Sequence, residues 1–131
     1  MNGLLLDTHA LIWWWNDNPL LPKFVRHRLQ IAEDLIFVSA ASAWEVATKV
    51  RLGKWSDAAE AAEKFEMLCA RNNFELLPVS VSHGLLAGSL LGEHRDPFDR
   101  MIAAQAIHED LTVITRDPAL AALGCRTFWI E

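Results

Sequence analysis

Three observations predict an α/β domain built on a mostly parallel sheet. Short apolar runs of strand length recur along the chain, helical segments separate them, and turn residues punctuate nearly every junction. Strands that alternate with helices pair in parallel and are covered on both faces, so each reads as a continuous apolar run. The order of the strands in the sheet does not follow from such a pattern.

Taken in order, Leu4-Leu5-Leu6 is the first strand and ends at Asp7. Thr8 to Trp15 is a short helix, closed by the turn-rich Asn16-Asp17-Asn18-Pro19. Pro22 to Asp34 has a loose helical pattern carried by Phe24, Val25, Leu29 and Ile31. Leu35 to Val38 is a second strand. Ser39 to Leu52 is a helix with Trp44, Ala47 and Val50 near helical spacing and Gly53 as its stop. Ser56 to Arg71 is rich in Ala, Glu and Lys and reads as one helix capped by Ser56. Phe74 to Val79 is a third strand, with Pro78 marking its end or an edge. Ser82 to Leu91 and Asp99 to Glu109 are helical, Leu111 to Thr115 is a fourth strand, Pro118 to Leu123 a short helix and Thr127 to Ile130 a final strand.

A chain of 131 residues has the size of one domain, and it is expected to fold as a single unit over residues 1–131. With 52% hydrophobic and 22% charged residues the composition is that of a globular protein. No apolar stretch reaches the roughly 20 residues that span a bilayer, and no basic segment precedes a long apolar one, so a cytoplasmic chain is expected. Cys69 and Cys125 lack metal-ligand spacing and read as buried small hydrophobes in a reducing compartment. A net charge of −5 is awkward for a protein that binds phosphates. Five clustered acids holding a cation would account for it, because a bound divalent ion reverses the local sign.

The positions of the acids are the informative feature. Asp7 directly follows the first strand, Asp117 follows the fourth by one residue, and Asp99 opens the helix that feeds that strand. Glu45 lies about two turns into the helix after the second strand. In open α/β sheets ligands bind beyond the carboxyl ends of the strands, which is where these acids fall. Two unit charges about 4 Å apart interact by roughly 4 kcal/mol at an effective dielectric near 20, so gathered carboxylates need raised pKa values or a cation. Oxygen ligands select a hard ion such as Mg²⁺ or Mn²⁺. Each acid also has a plainer reading. Asp7, Asp96 and Asp117 could cap helices, the last two before proline, and Asp99 could complement a helix dipole.

Read together, four segments resemble the PIN-domain ribonucleases, particularly the VapC toxins of bacterial toxin–antitoxin pairs. They are Leu4-Leu5-Leu6-Asp7-Thr8-His9, Ser39-Ala40-Ala41-Ser42-Ala43-Trp44-Glu45, Asp96-Pro97-Phe98-Asp99-Arg100-Met101-Ile102-Ala103-Ala104-Gln105-Ala106 and Val113-Ile114-Thr115-Arg116-Asp117. The resemblance implies a three-layer α/β/α sandwich around a sheet of about five strands. It implies Mg²⁺ (or Mn²⁺) held chiefly by Asp7 and Asp99, with Glu45 and Asp117 completing an acidic pocket, Asp96 beside it and Thr115 hydrogen-bonding within it. It further implies endonucleolytic cleavage of RNA, homodimerisation, and inhibition by a small VapB-like antitoxin that places a basic residue in the pocket.

A haloacid dehalogenase-type phosphatase would need a second aspartate where His9 stands, and a receiver-like domain a lysine that Arg116-Asp117 does not supply. The remaining rival is a PIN-like fold kept as a non-catalytic binding module, which has no reason to tolerate the repulsion of four acids. Among the secondary features, Trp13-Trp14-Trp15 point about 100° apart on a helix. At least one is therefore expected to be exposed or covered by another chain, with folding into this chain's own core and RNA stacking as lesser alternatives. His9 reads as structural or solvated, with substrate contact the alternative. Lys49, Arg51 and Lys54 read as a solvated helix end or a phosphate contact. Arg95, Arg100 and Arg116 are expected to pair with carboxylates or to steady an RNA backbone.

Overall fold

The computed structural model describes residues 3–31, 33 and 35–129. β1 (Gly3–Leu6) leads into α1 (Thr8–Trp15) and α2 (Lys23–Gln30); β2 (Ile36–Ser39) is followed by α3 (Ala40–Arg51). A 3-10 turn at Ser56–Ala58 opens α4 (Ala59–Glu63) and α5 (Phe65–Arg71), which return to β3 (Glu75–Leu77). α6 (Val81–Ser89), α7 (Pro97–Glu109), β4 (Leu111–Ile114), α8 (Pro118–Ala122) and β5 (Arg126–Phe128) complete the chain. The five strands form one parallel sheet in the order β3-β2-β1-β4-β5. The chain winds outward from β1 in one direction and then restarts on its other side, so β1 and β4 flank the switch point.

Successive strand residues point to opposite faces, and β1 supplies both halves of the core. Leu4 and Leu6 join Leu11, Val25, Val46, Phe65 and Phe74 on one face, covered by α1 to α5. Leu5 joins Ile102, Ala103, Ala106, Val113 and Leu120 on the other, covered by α7 and α8. This is the α/β/α sandwich expected. Gly3 allows the sheet to close here, because a Cβ would lie 2.4 Å from Leu111 Cδ2 and 3.2 Å from Phe37 Cε2.

Several boundaries differ from expectation for physical reasons. The segment 56–71 is not one helix. Ser56 caps nothing, Trp55 stands at the N-terminal position, and the axis breaks at Lys64. α4 packs on α3 and α5 on β3, and one straight rod cannot serve both neighbours. α2 stops at Gln30, with Phe24 and Ile31 exposed and only Val25 and Leu29 buried; the expected end at Asp34 lies outside the described residues. α7 begins at Pro97 rather than Asp99, because Asp96 accepts from the Phe98 and Asp99 N–H groups and Pro97 needs no donor. β5 runs Arg126–Phe128, one residue earlier than expected at its start; Trp129 has already left the strand at φ +76°, and Ile130 lies outside the described residues. Gly53 does stop α3, at φ +71°. Trp13, Trp14 and Trp15 correct another expectation. All three are half-buried against the same core cluster, because α1 has neighbours on several sides. Trp13 meets Trp129, Trp14 meets Phe74 and donates to Asn72 Oδ1 at 3.1 Å, and Trp15 sits edge-on to Phe65. Both cysteines are buried and free, and burial pushes each thiol up to about 11. No helix among the described residues is long and apolar enough to cross a membrane.

Candidate functional site

A cleft of about 660 Å³ opens at the carboxyl edge of the sheet, and all five acids singled out in the sequence line it. Their positions follow from local structure. Asp7 leaves β1 with its N–H bonded to Ile114 O at 3.1 Å, and its Oδ1 accepts from Ala10 N–H at 2.7 Å as the cap of α1. Asp117 follows β4, donates its N–H to Thr115 Oγ1 at 3.0 Å, and caps α8 by accepting from Ala119 N–H at 2.9 Å. Asp96 caps α7, and Asp99 sits in its first turn. Capping and site membership are therefore not alternatives. A cap occupies one carboxylate oxygen, leaves the other available, and turns the positive end of a helix dipole toward the acids.

Glu45 reaches the cleft from α3, one turn after Ser42, whose hydroxyl bonds Thr8 Oγ1 at 2.9 Å and ties α3 to the start of α1. Glu45 is 2% exposed. Its Oε2 is held by the Lys49 ammonium, and its Oε1 is buried with no hydrogen-bond partner among the described residues. On the opposite wall Asp99 Oδ2 lies 2.8 Å from His94 Nε2. Behind them Gln105, fully buried, receives the Ser39 hydroxyl and donates to Pro78 O at 3.2 Å, so α7 is locked to the ends of β2 and β3.

The electrostatics carry the signature of crowded acids. Burial pushes the Asp7 carboxyl up to about 7, with the charges of Asp99 and Glu45 adding, against hydrogen bonds from Thr115 and the Ala10 N–H. Asp99 is raised in the same sense by burial, with Asp96 and Glu45 adding, while His94 opposes. Partial desolvation in the cleft lowers the His9 imidazole below its usual range, with the Lys49 and Arg116 charges adding and Glu45 and Asp117 opposing.

Lys49, His94 and Trp129 also line the cleft. The sequence expectation for Lys49 is a solvated helix end or a phosphate contact; in the structure it pairs with Glu45, at an i,i+4 spacing visible in the sequence. His94 and Trp129 lie in irregular segments that carry no periodicity. Among the described residues Arg100 pairs with no acid. Its guanidinium donates to Ala87 O, His94 O and Leu90 O at 2.9, 3.1 and 2.6 Å and clamps the 90–96 segment against α7. Arg116 lies with its guanidinium carbon 4.6 Å from the Trp13 ring centre.

A second cluster, His83, His108 and Glu109, brings three ligand-type atoms within 4.8 Å of one another. His83 Nδ1 accepts from the Ser80 N–H at 3.0 Å, so the neutral ring carries its proton on Nε2, 2.8 Å from Glu109 Oε2. That ring is committed to capping α6 and has no lone pair for a metal.

A parallel α/β sandwich whose switch point opens into an acid-lined cleft defines a class of proteins, and comparison with known families names it. Residues 4–124 match the PIN domain, and the chain belongs to that family. Among solved structures it is similar to VapBC2 from Rickettsia felis bound to a DNA fragment from their promoter (TM-score 0.73, 18% identity, 96% of this chain and 97% of that chain). It is similar to FitAcB from Neisseria gonorrhoeae (TM-score 0.70, 24% identity, 95% and 96% covered). DNA-bound VapBC from Salmonella typhimurium is a third (TM-score 0.71, 21% identity, 98% of both chains). No curated protein sequence matches the chain.

Proposed function

We propose that this chain is a Mg²⁺- or Mn²⁺-dependent endoribonuclease acting as the toxin of a type II toxin–antitoxin pair. The observation that carries the reading is the convergence of Asp7, Glu45, Asp99 and Asp117 on one cleft at the switch point of a PIN-domain sheet.

The residues fit a hard divalent cation. The acid set offers only oxygen, Glu45 Oε1 is buried without a partner among the described residues, and Asp7 bears a burial cost that a cation would relieve. Asp7 and Asp99 would hold the ion, with Glu45 and Asp117 completing the pocket and Asp96 at its margin. An ion so held would neutralise charge at a phosphodiester and make a bound water more acidic. The chain's own groups do the rest. The helix caps fix the Asp7 and Asp117 carboxylates at the sheet edge, Lys49 steadies Glu45, and His94 holds Asp99.

The partner would be a VapB-like antitoxin that offers a basic residue to the same acids, and the working form a homodimer. The structural relatives include VapBC assemblies and a toxin–antitoxin complex from Klebsiella pneumoniae. The test is RNA cleavage by purified, antitoxin-free protein with Mg²⁺, Mn²⁺ or EDTA, beside Asp7→Asn, on a panel that includes structured RNAs such as tRNA. Metal-dependent cleavage that disappears in the variant is expected. Folded, metal-loaded protein that cuts nothing would favour a non-catalytic PIN-like binding module.

A further inference from the structure

The cleft is lined by two unlike sets of side chains. One is the carboxylate cluster. The other is aromatic and cationic: the exposed His9, on the first turn of α1, has its ring centre 5.6 Å from Trp13 and 4.8 Å from Trp55. Its plane is tilted only 34° from the Trp55 plane, so the indole backs the imidazole. Trp13 is buttressed by Trp129, ring centres 6.1 Å apart, and the exposed Arg116 lies across it. Lys49 Nζ stands 5.6 Å from the Trp55 ring centre while it bonds Glu45. Two cations and a wall of rings thus adjoin the acids within one cleft.

We propose that the His9–Trp13 wall, with Arg116 across it, is a nucleobase-stacking subsite that takes one unpaired base of the strand whose phosphate faces the carboxylates. The inference rests on the nuclease reading and deepens it. A nucleotide has one flat π-face and one anionic phosphate, and the cleft offers rings and a guanidinium plane to the first and Lys49, Arg116 and a cation-binding carboxylate cluster to the second. Aromatic and guanidinium planes are how proteins hold splayed-out RNA bases. A base inside an A-form duplex is stacked on its neighbours and out of reach of such a wall, because the major groove is deep and narrow. The substrate is therefore single-stranded at this nucleotide, in a loop, bulge or end.

The test is equilibrium binding of a labelled oligoadenylate decamer, and of a decamer of the same backbone lacking every base, in Ca²⁺. The two strands carry the same charge, so their affinity ratio isolates the bases. Wild type is expected to favour the oligoadenylate by about tenfold or more, the range of one base–aromatic stack. His9→Ala, at an exposed position, should bring that ratio most of the way to one while leaving the salt dependence unchanged. Arg116→Gln should flatten the salt dependence as well. Circular dichroism establishes that both variants are folded. Wild type that binds and cuts RNA but does not distinguish the two strands would overturn the subsite alone, as would a His9→Ala ratio equal to wild type. Wild type that binds neither strand would overturn the nuclease reading and the subsite together.

Discussion

At Asp7 the fold accepts a cost in order to hold a carboxylate where water is scarce. Its ordinary value is 3.8 and burial pushes it to about 7. Below about pH 4 the folded and unfolded chains both carry the proton. Between about pH 4 and 7 the folded chain binds a proton that the unfolded chain has released, so this residue's contribution to stability falls as pH rises through that window. Above pH 7 the full cost is present, on the order of a few kcal/mol. Asp7→Asn keeps the acceptor for Ala10 and removes the charge. In EDTA the variant should therefore unfold at higher urea than wild type at pH 8, with the gap closing by pH 4. Identical midpoints at pH 8 would mean that the carboxylate is not strained. Mg²⁺ should raise the wild-type midpoint and leave the variant where it was. The Glu45–Lys49 pair makes the opposite prediction. Lys49→Ala strands a buried carboxylate, which should cost about 1–3 kcal/mol in EDTA and be partly recovered with Mg²⁺. An EDTA-treated variant as stable as wild type would show that Glu45 needs no counter-charge. The acids were legible in the sequence because strand ends announce themselves. Their companions were not, because His94 sits in a loop and Lys49 looks like any helix-end lysine until Glu45 is seen to be buried.

At the scale of elements, the site depends on how α7 and the segment before it are held. Arg100 uses three guanidinium donors on three carbonyls, Ala87 O, Leu90 O and His94 O, and so fixes the loop that presents His94 and Asp96. Lysine offers a compact ammonium without that fork. Arg100→Lys should leave the sheet intact, speed amide exchange over residues 90–96, and lower RNA cleavage with little change in the urea midpoint. Unchanged exchange in that segment would assign its order to other contacts. Elements were also where sequence reading succeeded most unevenly. β1, β2 and β4 stand out because strands buried on both faces are largely apolar, interrupted here only by Ser39 and Thr112, and α1 matches its expected span Thr8–Trp15 because Asp7 caps it and Asn16 ends it. The break at Lys64 could not be read, since Ala, Glu and Lys favour helix everywhere and only the separate neighbours of α4 and α5 impose the bend. The order β3-β2-β1-β4-β5 is likewise a matter of long-range pairing, not of local pattern.

For the whole molecule, the proposed dimer would use the exposed face of α6. Along α6, Val81, Gly84, Leu85 and Gly88 fall at i, i+3, i+4 and i+7 and make one face, and all four are exposed. Val81 and Leu85 are 79% and 71% exposed, and beside them a groove of about 480 Å³ is lined by Trp44, Val79, Ala87, Gly88 and Met101. Apolar faces of this kind are uncommon on proteins that remain monomers. The two glycines sharpen the argument. Each weakens a helix interior by about 1 kcal/mol relative to alanine, yet a Cβ at either position would meet nothing in this chain. Close approach of a second backbone would explain why the small residue stands there. Sedimentation equilibrium should give a dimer for wild type and a monomer of unchanged circular dichroism for Leu85→Glu. Gly84→Ala then separates the two accounts of the helix. If α6 faces only water, the added methyl raises the unfolding midpoint and leaves the assembly alone. If α6 packs against its copy, the same methyl weakens the dimer while the isolated monomer becomes more stable.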